Sequence, residues 1–129
     1  AAASYTATEV DESCAFIFDY HDKRLALGHS TIAANMPVEA WIYGTEGSIY
    51  LHPRWHHTQK ITVSQFEGDG EQKRTTEFPY EGWGYHFEAA HVMECLAENR
   101  LESDLLPLDF TLDLVETLDA IRSRIGLIY

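Results

Sequence analysis

The side chains best equipped for chemistry crowd into one short run, His52-Pro53-Arg54-Trp55-His56-His57. Three imidazoles this close together raise metal binding first. A zinc site needs three or four convergent ligands. No carboxylate or cysteine joins the histidines within the run, and adjacent histidines do not easily turn onto one ion from an ordinary strand or turn. A small-ligand or metal-binding module centred on His52, His56 and His57 is therefore kept as an alternative, and no metal ligand is assigned. His86 and His91 are five positions apart, which sets them on different sides of a helix. Glu94 and Glu98, four apart, read most simply as a solvated helix face rather than an acid–base pair. The nucleophile elbow GxSxG, the dinucleotide fingerprint GxGxxG and the phosphate loop GxxxxGK are all missing. Catalytic residues: none assigned; cofactor-binding residues: none assigned.

The aromatic residues carry more information. Val38 to Tyr43 alternates, with Val38, Ala40 and Ile42 on one side and Glu39, Trp41 and Tyr43 on the other. Gly44-Thr45-Glu46-Gly47 supplies a tight turn, its glycines free to take positive φ. Ser48 to Leu51 then returns, with Ile49 and Leu51 opposite Ser48 and Tyr50. If the aliphatic side takes the helices, Trp41, Tyr43 and Tyr50 are left together on an outward face, the pattern of an interface.

These residues must be held by a fold of modest size. The chain has 129 residues and 45% hydrophobic composition, enough for one packed domain and too apolar for disorder. A net charge of -12, from 9 basic and 21 acidic side chains, repels phosphate backbones and anionic lipid and argues against nucleic-acid and membrane partners. No secretory signal is visible, and Cys14 and Cys95 read as buried thiols of a cytoplasmic protein rather than a disulfide.

In chain order, Ala1 to Tyr5 reads as a tag remnant or the tail of a strand. Ser13 to Tyr20 and Leu25 to Ala34 read as a strand and its return, the side carrying Ala26, Gly28 and Ser30 small enough for close approach. After the hairpin, His52 to Thr58 is a loop, Lys60 to Phe66 a strand, and Arg74 to Phe78 a short last strand. Gly84 to Asn99 has helical period, with Tyr85, Ala89, Val92, Met93 and Leu96 forming a stripe that asks to be covered. Phe110 to Ile125 is a second helix with Asp109 at its N-cap, Arg122 and Arg124 in its last turn and Gly126 after it. Strands first and helices last, without βαβ alternation, predict an α+β fold: an open-faced, mainly antiparallel sheet with two C-terminal helices on one face.

At this point several motifs match a family. GTEGSIYL on the hairpin, YHFEAAHVMECLAEN on the first helix, Glu102-Ser103, Pro107 and LDAIRSRIGLIY together resemble the C-terminal half of the Gfo/Idh/MocA oxidoreductases, nearest the dimeric dihydrodiol dehydrogenase and xylose dehydrogenase branch. The resemblance implies a fold like the C-terminal domain of glyceraldehyde-3-phosphate dehydrogenase. It also implies an N-terminal Rossmann domain, absent here, that binds NAD or NADP, and a parent enzyme acting on a sugar, polyol or diol. No position matches the family's catalytic lysine or its helpers, so the chain alone is expected to be inactive. By the same resemblance Trp55, Phe78 and Tyr80 are candidate substrate-binding residues, and Trp41, Tyr43 and Tyr50 a candidate homodimer interface. Phe87 is a candidate contact to the missing domain. The rival class is a stand-alone interaction module with no enzymatic parent.

Overall fold

The computed structural model describes residues 1–127. In order it contains β1 (Ala2–Tyr5), β2 (Asp11–Asp19), β3 (Leu25–Thr31), β4 (Ala40–Tyr43), β5 (Gly47–Leu51), a 3-10 turn (Trp55–His57), β6 (Lys60–Glu67), β7 (Gly70–Glu77), α1 (Tyr85–Ala97) and α2 (Leu108–Ile125). The α+β class, the antiparallel strands and the two C-terminal helices agree with the sequence reading. The strands do not share one sheet: they divide into β1-β2-β3 and β4-β5-β6-β7. Contacts group the chain into two compact units, Ala1–Met36 with the segment from Asn99 onward, and Pro37–Glu98. Each is described by itself.

In the first unit, Ala2–Tyr5 is a true strand, antiparallel to β2, with a register shift between Ser4 and Tyr5. β2 and β3 pair from Ser13↔Thr31 to Asp19↔Leu25. The pleat puts Cys14, Phe16, Phe18, Ala26 and Gly28 on one side, which is covered, and Ile17, Leu25 and Leu27 on the other, which is exposed. The close approach expected on the small side is made from within the sheet. Phe16 is paired with Gly28, and a Cβ built on Gly28 would lie 2.1 Å from the Phe16 ring. The ring occupies the space a side chain at position 28 would need. Cys14 is buried and free.

α2 lies against β1, and the Tyr5 hydroxyl donates to the carbonyl oxygen of Ile125. The helix begins two residues earlier than expected, at Leu108 rather than Phe110. Its N-cap is Pro107, not Asp109, and Asp109 sits inside the first turn. Pro107 has extended backbone and no side-chain oxygen, so the capping acceptor comes from elsewhere: the Glu102 carboxylate takes the Leu108 N–H at 2.8 Å. An anion there also suits the positive end of the helix. Gly126, at φ 75°, closes the other end, with Leu127 N–H donating to Arg122 O at 3.0 Å. The predicted apolar face is covered only toward its C-terminal end, at Ile121 and Ile125; Phe110, Leu114 and Leu118 are exposed.

In the second unit, the hairpin pairs Trp41↔Tyr50 and Ile42↔Ile49 as the alternation predicts. Its turn is closed by Gly44 N–H donating to Gly47 O at 2.8 Å. Neither glycine has positive φ. Gly47 is needed for a different reason: a Cβ there would lie 2.2 Å from the Ser64 carbonyl oxygen of the neighbouring strand. β7 starts at Gly70 rather than Arg74, pairing along its whole length with β6. α1 is bounded by Gly84 at φ 85°. Its stripe is not covered: Tyr85, Val92, Met93 and Leu96 are all exposed, Tyr85 at 76%, while Cys95 is buried and His91 half-buried. The period marks a face, and the residues of that face are left largely exposed.

Candidate functional site

On one side of the four-stranded sheet the aromatic residues form a continuous stack. The Trp41 and Tyr50 ring centroids are 4.1 Å apart and 17° from parallel. Tyr43 stacks on Trp41 at 5.6 Å and His52 tilts against Tyr50 at 4.3 Å. Offset stacking of this kind is favourable for the ring quadrupoles and fixes the rings as a plate. The plate is anchored by Glu39, whose carboxylate accepts from the Tyr50 hydroxyl at 2.6 Å. That bond, with partial desolvation and the nearby negative charge, raises the Tyr50 pKa above the usual phenol value. A line of side chains continues across the sheet: His52 Nε2 and Thr62 Oγ1 at 2.8 Å, then Thr62 and Thr75 hydroxyls at 2.9 Å. Tyr43 is 72% exposed and Trp41 45%. The aromatic side read from the alternation is thus present, but the aliphatic side is not the covered one, Ile42 being 59% and Val63 46% exposed.

The three residues offered as substrate contacts are placed differently from one another. Trp55 opens the 3-10 turn, its N–H donating to Val38 O at 3.0 Å, and its ring is half exposed, edge-on to His56. Phe78, just after β7, is tied back through its N–H to Gln59 O at 2.7 Å and is also half exposed. Tyr80 is a strut. Its hydroxyl donates to His57 O at 2.6 Å, its own carbonyl accepts from Gln59 Nε2 at 3.1 Å, and its ring packs edge-on to Phe87 at 5.4 Å. With its hydroxyl already committed, Tyr80 holds the loop rather than offering a polar hand to solvent.

The histidines do not converge. His52 turns to Tyr50 and Thr62 on the sheet, His56 and His57 stand edge to face with centroids 4.7 Å apart, and His57 meets Trp83 at 5.4 Å. Among the described residues no group of three His, Cys, Asp or Glu is arranged to hold a metal ion. Nor do the glycines before α1 fit a dinucleotide. Gly82-Trp83-Gly84 leads into the helix, but the third glycine position is Phe87 and the preceding strand is antiparallel.

Trp83, which the sequence reading did not single out, and Arg54, named there only as part of the histidine run, complete the loop. Arg54, with left-handed backbone at φ 64°, places its guanidinium over the Trp83 ring at 5.5 Å. Together with Val38, His56, His57 and Tyr85 they line an open hollow of about 420 Å³. The signal was present in the glycines on both sides of Trp83, which at φ 69° and 85° turn the chain sharply around it.

The arrangement is an aromatic plate beside a loop of rings and imidazoles. No protein-family model matches the chain. It is 33% identical over 125 residues to the trans-1,2-dihydrobenzene-1,2-diol dehydrogenase of Xenopus tropicalis, covering 95% of this chain and 38% of that protein. The mouse protein of the same name is 30% identical over 132 residues, and the human one 28% over 133, each covered over 37% of its length. The chain is therefore a homologue of the dihydrodiol dehydrogenases over nearly all of its own length, and it spans well under half of theirs. No helix of the described residues is long and apolar enough to cross a membrane.

Proposed function

We infer that this chain is the C-terminal, substrate-side and dimerisation domain of an NAD(P)-dependent oxidoreductase acting on a diol, sugar or polyol. The observation that supports this best is the homology, which runs through 95% of the chain and falls on dehydrogenases of more than twice its length. In the intact enzyme a Rossmann domain N-terminal to this chain holds the cofactor, and the nicotinamide takes up or gives the hydride. The role of this chain is to bind and orient. Trp55 and Phe78 offer half-exposed rings for the apolar face of a sugar or diol ring, and Tyr80 keeps them in place through His57 and Gln59. The plate of Trp41, Tyr43 and Tyr50 is the surface for a second copy. The uncovered stripe of α1 and Phe87 beside it serve the cofactor domain. Two buried free thiols fit a cytoplasmic setting.

The chain alone is inert on this reading. Incubated with NAD+ or NADP+ and a panel of diols and sugars, it leaves nicotinamide absorbance unchanged; turnover by this chain alone refutes the assignment.

A further inference from the structure

The hollow beside the 3-10 turn has a chemistry that a neutral diol does not use. We propose that it binds the carboxylate of a small acid, such as a sugar acid, through Arg54, with Trp83 as the floor for the attached carbon skeleton. The protein carries -12 net charge, yet among the described residues the Arg54 side chain meets no carboxylate. Its guanidinium lies over the face of Trp83 at 5.5 Å. That contact orients the guanidinium without occupying its N–H donors, which stay available for the two parallel hydrogen bonds a carboxylate accepts.

The rest of the lining brings no opposing charge. Val38, His56, His57, Trp83 and Tyr85 include no acidic residue. Tyr85 is the first residue of α1, and the helix has no side-chain cap at Gly84. The positive end of a 13-residue helix, with N–H groups of its first turn not taken by a capping side chain, therefore borders the hollow. Glu88 is the acidic residue of that turn, exposed and outside the lining. Arg54 is held in a left-handed backbone conformation at φ 64°, unfavourable for a branched-free but bulky side chain and tolerated where the surroundings fix it. A hollow of about 420 Å³ accommodates a molecule the size of a single sugar. The ligand class follows from the pairing of a planar cation with an aromatic floor: one carboxylate on a compact, partly apolar ring.

The test is calorimetric titration of the intact protein, without nicotinamide cofactor, against glucuronate, glucose and inorganic phosphate. Because no turnover is read, the result does not depend on the proposed dehydrogenase activity. Glucuronate is expected to bind at least about tenfold more tightly than glucose, to weaken as salt is raised, and to lose about tenfold in R54Q while R54K keeps part of it. W83A weakens glucuronate as well, and phosphate binds less than glucuronate because it lacks the ring for Trp83. Equal affinity for glucose and glucuronate, or glucuronate binding unchanged in a folded R54Q, overturns the proposal. Phosphate binding as tightly as glucuronate, with W83A without effect, overturns the carboxylate assignment in favour of a bare anion site.

Discussion

The two sheets use the same antiparallel pairing and finish their faces in opposite ways. In β1-β2-β3 the packed side is closed by one ring, Phe16, lying over Gly28, and the far side shows Ile17, Leu25 and Leu27 beside Asp19 and His29 of the same ladder. In β4-β5-β6-β7 the corresponding choice is a stacked aromatic plate joined to Glu39, Thr62 and Thr75 by hydrogen bonds. An aliphatic face is covered by whatever fits; a plate with fixed ring orientations and fixed polar ends selects its partner. On the proposed function the second sheet is the one read as the recognition surface.

That contrast can be broken at its glycines. Gly47→Ala puts a methyl group onto the Ser64 carbonyl, which is backbone of the β5–β6 ladder and cannot move without disturbing pairing. The expected cost is about 3 kcal/mol, read as a lowered denaturation midpoint together with loss of the aromatic near-ultraviolet signal of the plate. Trp41→Glu leaves the fold in place and removes the centre of the plate. Self-association should weaken at least about 30-fold, measured by sedimentation equilibrium; a monomer at micromolar concentration that is indifferent to this change removes the dimerisation role. Gly28→Ala meets a side chain, not backbone, and the Phe16 ring can swing, so about 1 kcal/mol is expected by denaturant unfolding.

The smallest effects are in titration. Tyr50 is held protonated by Glu39, so its contribution to stability is full below the ordinary phenol pKa and is lost as pH rises through the raised value. Glu39→Gln should bring Tyr50 back toward the ordinary phenol range in an absorbance titration. Glu71 has the opposite sign. Its hydrogen bonds to Lys73 and then Ser64 lower its pKa, so its contribution is present above the usual carboxylate range and is lost as pH falls through the lowered value. Carbon-detected NMR titration of Glu71 in Lys73→Met should show that lowering reduced.

Much of the second unit was legible because its information is local. Alternation from Val38 to Leu51 around Gly44 and Gly47 gives the hairpin, its register and its aromatic side. What Gly47 is for was not legible, since the reason is a carbonyl on β6, not its own φ. The start of β7 was missed because Glu71, Gln72 and Lys73 have no strand signature; they are strand only through pairing with Phe66, Gln65 and Ser64. Asp109 gave a plausible cap, but Pro107 with Glu102 six residues before Leu108 does the work, a contact across a loop that no local pattern encodes. The helix stripes expose the same gap. Period says that Met93 and Leu96 form a face with Tyr85, not whether anything lies on it. The Arg54–Trp83 contact joins two distant loops, so only the flanking glycines hinted at it.

The most direct test is hydride transfer by the intact polypeptide that contains this chain. Wild-type protein is mixed with NAD+ or NADP+ and trans-dihydrodiols, sugars and polyols, and compared with Trp55→Ala. The account predicts nicotinamide reduction by wild type with at least one diol or sugar, and a KM raised about tenfold in the variant with a smaller change in kcat. No reduction with any of these substrates, in a protein that binds the cofactor, contradicts it.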